Sequence, residues 1–108
     1  MSRNRYAKNQ DANHSEIVRA FESMGATVEA PAGTRGFPDL LVGIYGITEL
    51  VEIKPLVGET RRRELRDSQV LWHQRWRGRK PVIVRTVEDA LALVSKMRGA
   101  MTRSEVSR

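Results

Sequence analysis

The sequence predicts an α/β fold in which a mixed sheet is flanked by helices. Apolar residues recur at helical spacing near both ends, short apolar runs typical of strands lie between them, and glycines or prolines separate the segments. The predicted order is helix, three strands, helix, strand and helix, which buries the sheet as layered packing requires. The 108 residues fit one domain, which we place at 11–98, between a flexible basic arm at 1–10 and a polar tail at 99–108.

The first half of the chain predicts a helix followed by a strand hairpin. Residues 11–25 form the helix because apolar side chains recur every three or four positions up to a glycine. These side chains are Ile17, Ala20, Phe21 and Met24. Residues 26–29 form a short strand. The apolar run 40–45 then predicts a buried strand, and Gly46 connects it tightly to a second strand at 47–54.

The second half of the chain predicts a helix, a strand and a final helix. The helix covers residues 64–77, and we assign its tryptophans, Trp72 and Trp76, to the core rather than to base stacking. Residues 80–85 form the strand. Thr86 caps the last helix, whose apolar stripe is Val87, Ala90, Leu91, Val94 and Met97.

Charge and composition narrow the class of protein. Lys and Arg total 19 against 13 Asp and Glu, so the net charge of +6 predicts a polyanionic partner. The sequence contains no cysteine, which excludes disulfides and cysteine-ligated zinc. No apolar stretch is long enough to span a membrane, and the first residues lack a signal-peptide core. We therefore expect a protein that does not enter a membrane and stays in the cytoplasm.

Two acidic residues and a lysine lie where the hairpin brings them together. Residues two apart share one face of a strand, so Glu52 and Lys54 project together. A turn at Gly46 pairs Asp39 near the level of Glu52. Buried carboxylates are costly unless they hold a cation, and with the Ile53 carbonyl they offer the hard oxygen ligands that Mg²⁺ or Mn²⁺ prefers. The alternative is that Asp39 only begins a strand and that Glu52 and Lys54 form a surface ion pair.

The residues around this constellation carry a family resemblance. Asp39 precedes an apolar strand and Glu52 lies between apolar neighbours, which favours a functional site over stray surface charges. The runs Gly36-Phe37-Pro38-Asp39-Leu40 and Val51-Glu52-Ile53-Lys54 resemble the PD-(D/E)xK nuclease superfamily, and more narrowly its virus-type replication-repair nuclease (VRR-NUC) domain. The run 67–72 resembles a helix of that family that carries a glutamine. The resemblance covers residues 11–97 and implies an αβββαβ core that cleaves phosphodiester bonds with a divalent metal.

The resemblance also implies roles for individual residues. The positions that match the family's catalytic set are Asp39, Glu52, Lys54, Gln69 and, in the first helix, Glu16. The implied metal ligands are Asp39, Glu52, Glu16 and the carbonyl of Ile53. Lys54 matches the catalytic lysine, and Gln69 matches the glutamine of the following helix. The implied ion is Mg²⁺, for which Mn²⁺ substitutes. Pro55 follows the lysine where the family often has a basic or small residue, so the next loop can differ.

A basic cluster follows the catalytic strand directly. Its side chains suit contacts to DNA phosphates that hold the backbone without reading the sequence. They are Arg61, Arg62, Arg63 and Arg66, with Arg35 and Lys80 beside them. The alternative is a solvated loop in which Glu59, Glu64 and Asp67 balance the charge. Neither histidine, His14 or His73, is assigned a catalytic role.

These inferences predict a Mg²⁺-dependent DNA endonuclease that acts as a homodimer on branched DNA such as Holliday junctions. The junction preference and the dimer follow from the resemblance to small junction resolvases, and the family name suggests a phage setting. A non-catalytic basic DNA-binding module and a structural partner or inhibitor with a basic surface are the alternatives outside catalysis. A nuclease that acts on plain duplex or flap DNA is the alternative within it.

Overall fold

The computed structural model describes residues 5–31, 36–54 and 67–107. In chain order the elements are α1 (Arg5–Ser23), β1 (Thr27–Glu29), β2 (Leu40–Ile44), β3 (Ile47–Ile53), α2 (Asp67–Arg75), β4 (Val82–Val84) and α3 (Val87–Ser107). Across these described ranges, the three helices and the four-stranded mixed sheet confirm the predicted α/β class.

The strands lie in the sheet in the order in which they occur in the chain. β1 pairs with β2 and β2 pairs with β3 in antiparallel fashion, whereas β3 and β4 are parallel. A parallel pair needs a crossover connection, and α2 lies in the segment between β3 and β4. The segment that carries the candidate glutamine is therefore the one that returns the chain to the sheet.

A two-residue turn fixes the register of the β2–β3 hairpin. Ile44 pairs with Ile47, and the intervening Tyr45 and Gly46 have φ angles of 58° and 77°. Positive φ at both central residues defines a type I′ turn, whose twist matches that of the flanking strands. The same register pairs Leu40 with Val51, so the predicted hairpin is confirmed and residue 39 falls one step further, at the level of residue 52.

The hydrophobic core lies between the sheet and two of the helices. α1 contributes Ile17 and Phe21, which are fully buried, and α3 packs against α1. The remaining buried members of this core are Ala26, Leu40, Val42, Val51, Ile53, Val84, Ala90, Leu93, Val94 and Met97. Because side chains alternate along a strand, Val51 and Ile53 point into this core. Residue 52, between them, points to the opposite face of the sheet, toward α2.

The terminal helices are longer than the sequence predicts. α1 begins at Arg5 rather than at residue 11, so residues 5–10 of the predicted arm are helical, while residues 1–4 lie outside the described ones. No glycine or proline interrupts this stretch, so nothing stops the helix. α3 continues to Ser107, through the predicted polar tail. A single helical glycine, here Gly99, costs only about 1 kcal/mol relative to alanine, and good helix formers flank it.

Capping interactions set the other helix ends. Thr86 Oγ1 accepts a 3.1 Å hydrogen bond from the Asp89 amide, and Asp89 Oδ2 accepts one of 3.3 Å from the Thr86 amide. This reciprocal pair is a capping box and confirms Thr86 as the cap of α3. α2 ends at Arg75, two residues before the predicted end, and Lys80 Nζ donates to the carbonyl of His73 at 2.5 Å. The ammonium group thus satisfies a carbonyl left free at the end of α2.

Candidate active site

The carboxylate of Asp39 is held by the neighbouring strand. Pro38, immediately before it, is fully buried, which fixes the chain where it enters β2. Asp39 Oδ2 accepts a 2.7 Å hydrogen bond from the backbone amide of Ile53. Because that amide belongs to β3, the Asp39 carboxylate lies at the end of the hairpin beside residues 52 and 53. Its position agrees with the pairing that the sequence predicts.

Gly36 lets α2 come close to this end of the hairpin. Its φ is +80°, and a Cβ atom built there would collide with the carbonyl oxygen of Ser68 and lie 3.1 Å from Trp72 Cβ. Both of these neighbours belong to α2. Phe37 then packs edge-on against Trp72, with ring centroids 5.4 Å apart. The backbone of Gly36 is therefore the surface against which α2 docks.

Docking of α2 places Gln69 between Glu52, which lies in β3, and Lys54, which follows directly after β3. Gln69 Nε2 donates to Glu52 Oε2, and Gln69 Oε1 accepts a 3.3 Å hydrogen bond from Lys54 Nζ. Lys54 Nζ lies 4.0 Å from Glu52 Oε2. The Glu52 side chain is 0% exposed and that of Lys54 is 9% exposed, so the surface ion pair considered from the sequence is excluded. The amide holds a buried carboxylate and a buried ammonium group in fixed positions.

Burial dominates the electrostatics of Glu52. The pKa of its carboxyl group is raised from 4.5 to about 7, first by loss of hydration and then by the negative charge of Asp39. The ammonium group of Lys54 and the hydrogen bond from Gln69 act in the opposite direction and do not offset these effects. In the absence of a further positive charge, the site therefore disfavours the ionised form of Glu52.

One oxygen of Glu52 has its hydrogen-bonding capacity unused. Within the described part of the chain, Glu52 Oε1 is buried without a hydrogen-bond partner, and so is His73 Nε2, which lies 3.8 Å from it. A buried carboxylate oxygen needs a donor or a cation. With Asp39 and the carbonyl of Ile53, Glu52 offers hard oxygen atoms of the kind that Mg²⁺ or Mn²⁺ takes as ligands. The chemistry of the donor set fits such an ion.

The protein ligands for such an ion would be few. Among the described residues, no group of three or more histidine, aspartate or glutamate side chains is arranged to hold a metal ion. Two carboxylates and one backbone carbonyl would leave several positions for water. Mg²⁺ commonly binds in this way, because it dehydrates reluctantly and keeps several of its waters.

The structure brings together four of the five predicted catalytic residues: Asp39, Glu52, Lys54 and Gln69. Glu16 is exposed on α1, and in the described ranges no hydrogen bond or ion pair joins it to the other four. Of the predicted DNA contacts, Lys80 caps α2. The predicted arginines that lie outside the described residues are Arg35, Arg61, Arg62, Arg63 and Arg66.

His73 is a neighbour of the site that the sequence analysis left without a role. It lies four residues after Gln69 on α2, and residues at this spacing share one face of a helix. This spacing is the feature of the sequence that could have placed His73 beside the site. The pKa of His73 is lowered, first by burial and then by the positive charges of Lys80 and Lys54. A neutral imidazole thus faces the free oxygen of Glu52.

Comparisons with known proteins give no match: no protein-family model, curated protein or solved structure matches the chain. Function must therefore be inferred from the residues and their geometry. In the part of the chain that the structure describes, none of the helices combines the length and apolar character needed to cross a bilayer.

Proposed function

We propose that the protein is a Mg²⁺-dependent DNA endonuclease with the PD-(D/E)xK core, similar to VRR-NUC domains. The observation that carries this proposal is the fully buried Glu52, which has one free oxygen and lies beside Asp39 and Lys54. Among the described residues Glu49 also has one oxygen without a hydrogen-bond partner, but no second carboxylate acts on it and Arg79 pairs with its other oxygen. At Glu52 a second negative charge, that of Asp39, lies close enough to raise the pKa, so the two carboxylates together favour a bound cation. The order of strands and helices also agrees with the αβββαβ arrangement that the resemblance implies.

In this proposal each residue of the site has a separate task. Asp39, Glu52 and the carbonyl of Ile53 would hold the metal ion, which would act as a Lewis acid and make water a better nucleophile. Lys54 presents its ammonium group to the scissile phosphate and stabilises the negative charge that develops there. Gln69 keeps Lys54 and Glu52 in fixed relative positions. Cleavage leaves a 3′-hydroxyl and a 5′-phosphate, as the family resemblance implies.

The proposal includes branched DNA as the substrate and a homodimer as the assembly state. The net charge of +6 suits DNA, and branched DNA is the substrate that the resemblance implies. Val70 and Leu71 on α2 are 36% and 64% exposed, and apolar side chains of this kind suit a homodimer interface. Sedimentation velocity should give a mass near twice 12.3 kDa; a mass of one chain at working concentrations would contradict the dimer.

The test is cleavage of a substrate panel by the wild type and by Asp39→Asn. The panel contains a four-way junction, a flap, a splayed duplex and a plain duplex, each incubated with Mg²⁺ or with EDTA. Asparagine keeps an oxygen that can accept the Ile53 amide, so the variant should stay folded while losing a charged ligand. We expect cleavage of the junction by the wild type in Mg²⁺ only, and a loss of about a thousandfold in the variant.

Other outcomes of this panel separate the alternatives. Junction binding without cleavage in Mg²⁺ would identify a non-catalytic DNA-binding module. Preferential cleavage of the plain duplex or the flap would keep the nuclease and reject the branched substrate. Equal cleavage by the wild type and Asp39→Asn would place the activity elsewhere in the preparation and reject the proposed site.

A further inference from the structure

The segment Arg75-Trp76-Arg77-Gly78-Arg79-Lys80 follows the active-site helix directly and has no role in the proposed catalysis. We refer to it as the basic turn. It holds four cationic side chains in six residues and no acidic one. Every residue of the basic turn is exposed. A basic segment that contains no acidic residue of its own is a natural contact for a polyanion.

The backbone of the basic turn is fixed by Trp76. The Trp76 ring stacks on that of Trp72 with centroids 4.9 Å apart and planes 18° apart, and its Nε1 donates a 3.0 Å hydrogen bond to the carbonyl of Arg79. Gly78 lies close against the indole, since a Cβ there would be 2.8 Å from Trp76 Nε1. Trp72 is buried beneath. The turn is therefore ordered before any partner binds, which reduces the entropy cost of binding.

Two of the four cations are occupied within the protein. Lys80 Nζ donates to the carbonyls of His73 and Trp76, at 2.5 Å and 3.0 Å. Arg79 Nη2 donates at 2.6 Å to Oε2 of Glu49, a carboxylate that is 4% exposed on β3. These contacts tie the basic turn to the helix end and to the sheet. The guanidinium groups of Arg75 and Arg77 take no part in these contacts.

Arg75 and Arg77 are the cations of the basic turn that have neither an ion pair nor a side-chain hydrogen bond among the described residues. Both side chains are exposed. Arg75 lies six residues after Gln69 on the same helix, so the two are about 9 Å apart along the axis. Phosphate contacts at this end of α2 would therefore lie on the same side of the protein as the active-site helix.

We infer that Arg75 and Arg77 bind backbone phosphates of the DNA that flank the phosphate that is cleaved. This inference rests on the proposed function and names a further part of its DNA-binding surface. Guanidinium groups bind phosphate oxygens through paired N–H donors. Because Arg75 and Gln69 share α2, the same rigid element sets both the phosphate contact and the position of the catalytic carboxylate. The contact positions the DNA and carries no base preference.

The test compares two pairs of substitutions that remove the same charge. The double variant Arg75→Gln/Arg77→Gln removes the proposed contacts, and the control Arg19→Gln/Lys96→Gln removes two exposed cations on α1 and α3. Binding of a labelled four-way junction is measured in EDTA over a series of salt concentrations. Thermal unfolding of each variant shows that the fold is retained.

We expect the basic-turn variant to bind at least about tenfold more weakly, with the slope of log K against log salt reduced by about two. The control should stay within about twofold of the wild type, because its charges lie on other elements. Equal weakening of both variants would reduce the effect to net charge and overturn the inference, as would wild-type affinity in the basic-turn variant. No binding by the wild type itself would reject the proposed function, and this inference with it.

Discussion

Glu52→Gln should abolish cleavage and at the same time stabilise the metal-free protein at pH 8. The substitution removes a charged oxygen ligand, so we expect Mg²⁺-dependent cleavage to fall by at least about a thousandfold. It also removes a carboxylate that is 0% exposed and has one oxygen without a partner among the described residues. Glutamine keeps an oxygen that can accept from Gln69. Replacement of a functional residue that destabilises the fold is expected to raise stability and abolish activity together.

The stabilisation that we expect from Glu52→Gln depends on pH. The pKa of Glu52 rises from 4.5 to about 7 on folding, so between these values the folded state binds a proton that the unfolded state has lost. The contribution of Glu52 to the free energy of unfolding of the wild type should therefore fall as pH rises from 4.5 to 7, and stay level above. The loss is at most about 3 kcal/mol, and Glu52→Gln should lack it.

Urea unfolding of both proteins in EDTA between pH 4.5 and 8 measures the difference directly. The gap between them should widen toward pH 7, with the variant the more stable, and Mg²⁺ at pH 8 should stabilise only the wild type. A variant that is less stable than the wild type at pH 8 would show that ionised Glu52 supports the fold. Its role would then be structural, against the proposal.

Gly36→Ala should have the largest effect on stability, and Gly46→Ala is its matched control. Both glycines have positive φ, +80° and +77°, so alanine at either position carries backbone strain of about 1–2 kcal/mol. At Gly46 no atom of the described residues lies within 4 Å of the added Cβ. At Gly36 the Cβ would collide with the Ser68 carbonyl, and overpacking of this kind costs about 1–3 kcal/mol more.

The consequence of Gly36→Ala reaches the active site as well. Relief of the collision requires α2 to move away from residue 36, and Gln69 would move with it away from Glu52. We therefore expect Gly36→Ala to lose cleavage even under conditions in which it is folded, whereas Gly46→Ala keeps it. Denaturant midpoints and junction cleavage of the two variants, measured side by side, test this. Equal destabilisation by both would mean that strain alone acts and that α2 does not dock on Gly36.

The hairpin and the acidic cluster could be predicted from the sequence because both depend on short-range geometry. The two-residue turn at Gly46 sets the register, and the register carries Asp39 to Glu52. Helix periodicity placed Gln69 on a segment that returns to the sheet. These features follow from neighbouring residues and the alternation of side chains along a strand.

Features that depend on contacts between elements far apart in the chain could not be predicted from the sequence. Whether Gln69 and His73 face Glu52 is decided by the approach of α2 to Gly36, some thirty residues earlier in the chain. The motif match suggested Glu16 as a ligand, yet it is exposed on α1, a helix that packs with α3 and β1. The helix ends at Arg5 and Ser107 depend on small propensity differences that a periodic pattern does not capture.

The central claim is that Asp39 and Glu52 together bind a divalent cation. Calorimetric titration of Mn²⁺ into the metal-free wild type at pH 8, beside Asp39→Asn and Glu52→Gln, tests it most directly. We expect saturable binding of Mn²⁺ to the wild type and loss of that binding in each variant. Binding of equal affinity in all three proteins, or none in the wild type, would contradict it.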